Sequence, residues 1–155
     1  MKFSIVNDMN YDYAKQICAW RYSGEYSIYN LPDFETAKRE MYSICNPQKK
    51  QEFFCFLDSD NNVVAYSRFV QKQHCFVMGV GISPNLTGQG LGSEIILQSI
   101  EKLKEKFADA KVVLEVRSWN KRAIKCYQKC GFKITKTQNQ KDRSGQVCEF
   151  VFMEI

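Results

Sequence analysis

Three glycines fall within five residues of "TGQGLG" (87–92), at Gly88, Gly90 and Gly92, between the apolar run "HCFVMGVGI" (74–82) and an amphipathic run. Glycine at a helix start costs about 1 kcal/mol relative to alanine, so this spacing calls for a reason. The first N–H groups of a helix lack intrahelical partners, and that end carries about half a positive charge. Anions bind there, phosphates above all. Glycines remove the side chains that would hold a phosphate away from those N–H groups. The chemistry indicated is pyrophosphate binding. The dinucleotide fingerprint G-x-G-x-x-G fails, because its last position is Ser93. The Walker motif also fails, because no Gly-Lys-Ser/Thr follows. A tight strand-to-helix turn without a ligand is the alternative reading of the same glycines.

The elements around this joint follow from periodicity. "KFSIV" (2–6) reads as a short strand, and "NYDYAKQICAW" (10–20) and "DFETAKREMYSI" (33–44) as helices joined by a tyrosine-rich loop. "EFFCFL" (52–57) and "VVAYSRFV" (63–70) are strands about the turn "DSDNN" (58–62), and 74–82 is a third. These form an antiparallel meander ahead of the glycines. Residues 89–107 follow as a helix, with Leu91, Ile95, Ile96, Ile100, Leu103 and Phe107 on one face. "KVVLEV" (111–116) is a strand, 121–130 a helix, and "FKIT" (132–135) and "VCEFVFMEI" (147–155) two final strands.

Composition narrows the class. A chain of 155 residues, 45% hydrophobic, is expected to form one domain over 1–155. No apolar run is long enough to span a bilayer, and the first residues show no signal-peptide pattern. The seven cysteines are scattered without a C-x-x-C pair, as in a protein with reduced thiols, so a cytoplasmic location is expected. The single histidine, His74, is read as opening a strand, and no metal site is expected. The net charge of +5 is modest and mixed with acids, as in "EKLKEKF" (101–107). That argues against a nucleic-acid protein, which shows a denser basic patch, and suits a small anionic ligand.

A second stretch, "LEVRSWNKRAIKCYQKCGF" (114–132), reads as strand, polar turn, short helix and glycine stop. Together the two stretches resemble the GNAT superfamily of acyl-CoA-dependent N-acetyltransferases. That superfamily has a pyrophosphate loop Q/R-x-x-G-x-G/A after a strand ending apolar-x-Pro. Here "ISP" (82–84) leads into 87–92, with Thr87 where the family has Gln or Arg. Its segment N-x-x-A-x-x-x-Y-x-x-x-G-F is matched by Asn120, Ala123, Tyr127, Gly131 and Phe132. The resemblance implies an α+β or α/β fold: one mixed, mostly antiparallel sheet of about seven strands, flanked by about four helices. The sheet is expected to splay between its two central strands. It also implies acetyl transfer from acetyl-CoA to an amine by direct attack in a ternary complex, with no metal, nucleic acid or membrane partner. A homodimer is left open.

The same resemblance distributes roles. The pantetheine arm pairs like an added strand with the backbone of Val80 and Ile82. An N–H near either residue faces the developing oxyanion. The backbone of Gly88, Gln89, Gly90, Leu91, Gly92 and Ser93 cradles the pyrophosphate, and Thr87 contributes through its backbone. Asn120 caps the helix starting at Lys121, and with Ala123 belongs to the cofactor-binding motif. Tyr127 is the general acid: a phenol of pKa ~10 can protonate the leaving thiolate. The base is Glu115, Glu25 or water. Glu115 is preferred because "LEVR", followed three residues later by Asn, resembles the ribosomal-protein alanine N-acetyltransferases. Trp20, Tyr22, Tyr26 and Tyr29, with Glu25, are candidates for the amine pocket through cation–π and charge contacts, or in part for core packing. A catalytically silent acyl-CoA sensor on the same fold is the alternative function. A protein–protein adaptor would not need the glycine loop.

Overall fold

The computed structural model describes residues 2–155, with Met1 outside the described residues. Seven strands form one mixed sheet: β1 (Ser4–Val6), β2 (Phe53–Leu57), β3 (Val63–Gln71), β4 (Phe76–Ile82), β5 (Val112–Arg117), β6 (Lys133–Lys141) and β7 (Val147–Glu154). Their order is β1-β2-β3-β4-β5-β7-β6. The β1–β2, β2–β3, β5–β7 and β6–β7 pairs are antiparallel, whereas β4 and β5 run parallel. The parallel ladder is registered at Phe76 with Val112 and Val77 with Val113, the N-terminal ends of both strands. The described residues also form four α-helices: α1 (Tyr11–Cys18), α2 (Phe34–Arg39), α3 (Leu91–Lys106) and α4 (Lys121–Lys129). Four short 3₁₀ turns lie at Gly24–Tyr29, Ser43–Cys45, Pro47–Glu52 and Pro84–Leu86. The expected mixed sheet of about seven strands and about four α-helices is thus what the chain forms.

Four boundaries differ from the sequence reading, each for a local reason. The second helix was expected over 33–44 but ends at Arg39. Met41 adopts φ +54, and the amides of Met41 and Tyr42 bond back to the carbonyls of Lys38 and Ala37. That is a Schellman stop made without the usual glycine. The helix expected from 89 begins at Leu91, so Gly88 and Gly90 precede it, and Phe107 lies just beyond its end. His74 sits in the bend before β4 and does not open the strand. The strand "FKIT" extends to Lys141, because an exposed edge strand of Thr, Gln, Asn and Lys carries no hydrophobic alternation to read.

The backbone divides into two compact units. The first comprises, among the described residues, 2–68 and Val80–Leu91. Its core joins Ala14, Ile17 and Cys18 of α1 and Ala37 of α2 to Phe53, Cys55 and Leu57 of β2 and Val63 of β3. Trp20, Leu31, Phe34, Tyr42 and Tyr66 pack against it. Trp20 stacks on Tyr66 with ring centroids 6.0 Å apart. α1 and α2 are capped by Asn10 and Asp33, whose side chains accept from the amides of Tyr13 and Thr36. The second unit, Phe69–Gly79 and Gly92–Ile155, buries Ile95, Ile96, Ile100 and Leu103 of α3. It also buries Leu114, Val116, Val151 and Met153 from one face of its strands.

Gly81 has a packing reason of its own. A Cβ built there would stand 2.8 Å from Cζ of Tyr66 and closer still to Cε1. The ring is held by Trp20 and by Phe53, 6.1 Å away, so it has little room to yield. Gly81→Ala is therefore expected to destabilise the fold by about 1–3 kcal/mol, the cost of overpacking. Gly79→Ala, whose Cβ meets nothing within 4 Å, is the control and should stay within about 0.5 kcal/mol. Urea unfolding of both variants checks this, and equal midpoints would remove the packing explanation.

Candidate functional site

In the first unit the chain leaves β4 through the 3₁₀ turn Pro84–Leu86, closed by the Leu86 amide on the Ser83 carbonyl at 2.9 Å. The Thr87 hydroxyl donates to the Pro84 carbonyl at 3.0 Å, and the Gln89 side-chain amide to the Asn85 carbonyl at 2.8 Å. Both side chains thus turn back onto this turn. Gly88 and Gly90 have φ of +77° and +80°, where L side chains are strained. A Cβ at either would meet nothing within 4 Å, so conformation and not crowding demands glycine there. The sixteen-residue α3 starts directly after, at Leu91. A side-chain-free, open backbone in front of a helix start fits the pyrophosphate of an acyl-CoA.

The expected amine-binding residues also lie in this unit. Tyr22 Oη donates to the Ile82 carbonyl at 2.6 Å. The Asn30 side chain clasps the Tyr22 backbone, accepting from its N–H at 2.7 Å and donating to its carbonyl at 3.2 Å. Arg21 donates to the carbonyls of Cys18, Trp20 and Leu31 at 2.9, 2.7 and 3.2 Å. Glu25, Tyr26 and Tyr29 stand on the 3₁₀ turn Gly24–Tyr29, which has no buried residue. Arg21 and Asn30 were not singled out from sequence. A lone arginine after a helix gives no signal, and the Asn in "YNLP" suggested only a turn.

In the second unit, Gly92 and Ser93 form the first turn of α3. Ser93 Oγ lies 3.6 Å from Sγ of Cys126, and its carbonyl accepts from Sγ of Cys130 at 3.7 Å. Burial pushes the Cys130 thiol up, which keeps it protonated at neutral pH and suits a donor better than a nucleophile. The expected cap is present: Asn120 Oδ1 accepts from the Ala123 amide at 3.2 Å, and Asn120 is 7% exposed. Such a cap stabilises a helix by about 1 kcal/mol. Tyr127 is half-buried on α4, its ring edge-on to Phe132 with centroids 5.8 Å apart. The Phe132 amide returns to the Tyr127 carbonyl at 3.0 Å, so the "CGF" stop after Tyr127 fixes the end of α4.

Glu115 lies on β5 between Leu114 and Val116, which are buried, and is itself exposed. It is directly opposite Phe152 in the β5–β7 register. The neighbouring Arg117 is engaged elsewhere, with Asp142 at 3.3 Å, Cys148 at 3.1 Å and the Phe150 ring at 5.3 Å. The Ser144 hydroxyl, followed by Arg117, holds the Asp142 carboxyl down to about 2. All seven cysteines are free thiols. Burial pushes Cys18 up to about 11 and Cys55 up to about 12. Among the described residues no group of three or more His, Cys, Asp or Glu side chains is placed to hold a metal. None of their helices is long and apolar enough to cross a membrane.

Comparison with known proteins agrees with this geometry. Residues 15–132 match the model of the acetyltransferase (GNAT) family. A mycothiol acetyltransferase from Corynebacterium aurimucosum is 38% identical over 55 residues, which is 36% of this chain and only 18% of that protein. Among solved structures, a chimera of the spermidine N-acetyltransferase SpeG of Vibrio cholerae and hSSAT superposes with a TM-score of 0.80. That alignment covers 100% of this chain and 95% of the other at 17% identity. A ribosomal-protein-alanine N-acetyltransferase from Escherichia coli gives 0.68 at 16% identity, covering 99% and 93%. A GNAT-family acetyltransferase from Bacillus anthracis gives 0.78 at 12% identity, covering 100% and 95%. These structural likenesses carry the fold, and the family model spans most of the chain. The chain belongs to the GNAT acetyltransferase family.

Proposed function

We propose that this chain is a cytoplasmic N-acetyltransferase, a single functional domain that moves an acetyl group from acetyl-CoA to a primary amine. The observation that carries the reading is the pair of left-handed glycines, Gly88 and Gly90, standing open in front of α3. Spermidine and a ribosomal-protein alanine, named for two structural neighbours, are both amines, which supports an amine acceptor. A protein N-terminus, a lysine and a small-molecule amine all remain within this class.

The backbone amides of Gly88, Gln89, Gly90, Leu91, Gly92 and Ser93 take the pyrophosphate oxygens, with Thr87 shaping the turn. Val80 and Ile82 offer backbone groups to the pantetheine arm, and an N–H near them donates to the thioester oxygen as it gains charge. Tyr22 already occupies the Ile82 carbonyl, so Ile82 contributes its amide. Asn120 and Ala123 hold the start of α4 against the cofactor. Glu115 removes a proton from the amine, directly or through one water. The amine nitrogen then attacks the thioester carbon, an N–C bond forms and the C–S bond breaks. Tyr127 gives its proton to the departing sulfur, and the second amine proton, shed as the amide forms, restores the phenol while the proton taken by Glu115 leaves to solvent. Tyr26 and Tyr29 flank the amine, Glu25 attracts it, and Trp20 backs the pocket from the core.

The reading is tested by measuring CoA release from acetyl-CoA over a panel of amines. Release above hydrolysis with at least one amine is expected, and tight acetyl-CoA binding with no release would make the chain a sensor. The base is tested separately. An alkylamine of pKa ~10 is mostly protonated at neutral pH, so a base matters most there. Glu115→Gln is expected to cut turnover about tenfold or more below pH 8, with a deficit that shrinks as pH rises and free amine accumulates. A mutant pH–rate profile overlaying wild type at every pH would leave Glu25 or solvent as the base.

A further inference from the structure

We infer that Tyr22 is a positioning residue that ties the amine-binding loop to the end of the strand carrying the acyl donor. This deepens the proposed function and rests on it. The residues are 60 apart in sequence, yet Tyr22 Oη and the Ile82 carbonyl meet at 2.6 Å in a part-buried setting. Ile82 is the last residue of β4, at the point where the chain turns toward the glycine loop.

The loop is braced at its base and open at its crown. Asn30 bridges its two ends by bonding both the N–H and the carbonyl of Tyr22. Arg21 adds three bonds, two to carbonyls at the end of α1 and one to Leu31 just before α2. Gly24, at φ +60, starts the crown, where Ile28 is 50% and Tyr29 40% exposed. Internal bonds therefore keep the loop's shape, whereas the Tyr22 hydroxyl joins that shape to β4. Removing the hydroxyl leaves the ring and the Asn30 clasp but lets the crown drift relative to the Ile82 backbone. The arrangement of the loop that binds the amine is then populated less often, which weakens amine binding by that fraction.

Tyr22→Phe is the test, assayed on the full chain with the amine that wild type accepts best and with two others of different length. The KM for every amine is expected to rise by about tenfold, the effect of one net hydrogen bond. kcat and the KM for acetyl-CoA should stay within about twofold, because the Ile82 amide and the glycine loop are held by β4 and the turn after it and stay in place. A residue contacting the amine itself would raise KM unevenly across the three amines. That pattern would overturn the positioning role, as would an unchanged KM accompanied by a lowered melting temperature. Asn30→Ala, which loosens the loop without touching Ile82, should give the same even rise in KM and serves if Tyr22→Phe does not fold.

A second readout does not depend on turnover. Hydrogen exchange of the ligand-free protein should accelerate across residues 22–30 in Tyr22→Phe and leave α3 and β5 unchanged. Unaltered exchange in that segment would overturn the tether. If wild type acetylates no amine, the proposed function fails, and the exchange result still decides whether the tether exists.

Discussion

Replacing Gly90 by Asp is expected to weaken acetyl-CoA binding by at least tenfold in a protein that still folds. Gly90 sits at φ +80 with open space where a side chain would start, one residue before α3. A carboxylate there would face a pyrophosphate in the place where the helix end favours negative charge. Two like charges a few ångströms apart in partly desolvated surroundings cost more than the roughly 1.4 kcal/mol that a tenfold loss represents. Any side chain is strained at this φ, but aspartate and asparagine are among the residues that tolerate left-handed backbone best, and they bear that strain alike. Gly90→Asn separates the two effects, having the same shape and tolerance without the charge. It should bind within a few-fold of wild type. Calorimetry of both variants checks this, and equal affinities for Asp and Asn would remove the loop from the phosphate site.

The glycine joint was legible in the sequence as a break between a strand and a helix, but its geometry was not. Spacing alone could not distinguish glycines inside a helix from glycines ahead of it. The structure shows Gly88 and Gly90 ahead of α3, in a conformation that only glycine adopts cheaply. Asn120 was legible as a cap because the preference is local and chemical. The short extent of α2 was not, because a left-handed Met41 carries no compositional signal. Gly81 was visible as a glycine in a strand, yet its partner Tyr66 lies fifteen residues away and enters only through folding. Likewise "WRYSGEYSIYNLP" (20–32) announced aromatic rings but not their separate jobs. Trp20 stacks in the core, Tyr22 ties the loop to β4, and Tyr26 and Tyr29 stand on the outer turn. Such division of labour is set by tertiary contacts, which periodicity does not encode.

Tyr127→Phe is expected to lower turnover by about tenfold to a hundredfold while acetyl-CoA affinity changes little, the range in which a single proton donor acts. The ring would still pack edge-on to Phe132, and the α4 stop uses only the Tyr127 carbonyl. Folding and the neighbouring Asn120 cap should therefore survive. What is lost is a phenol able to protonate a leaving thiolate at neutral pH. Without it, solvent must supply the proton, and the loss should be greatest for poor leaving groups. Acetyl esters of activated thiols, whose thiolates need no proton to depart, should narrow the gap between mutant and wild type. Turnover equal to wild type with acetyl-CoA would return Tyr127 to a packing role and place the acid elsewhere.

The proposed mechanism transfers the acetyl group directly to an amine with no acyl-enzyme. Cys126 and Cys130 lie beside Ser93 on the first turn of α3, which makes them the thiols to exclude. A single turnover with enzyme in excess over acetyl-CoA, quenched in acid and read by mass spectrometry, decides it. Run once with and once without the amine, it should leave the acetyl group entirely on the amine in the first case and on CoA in the second. Acetylated protein, with the label on Cys126 or Cys130 in the absence of amine, would contradict the account.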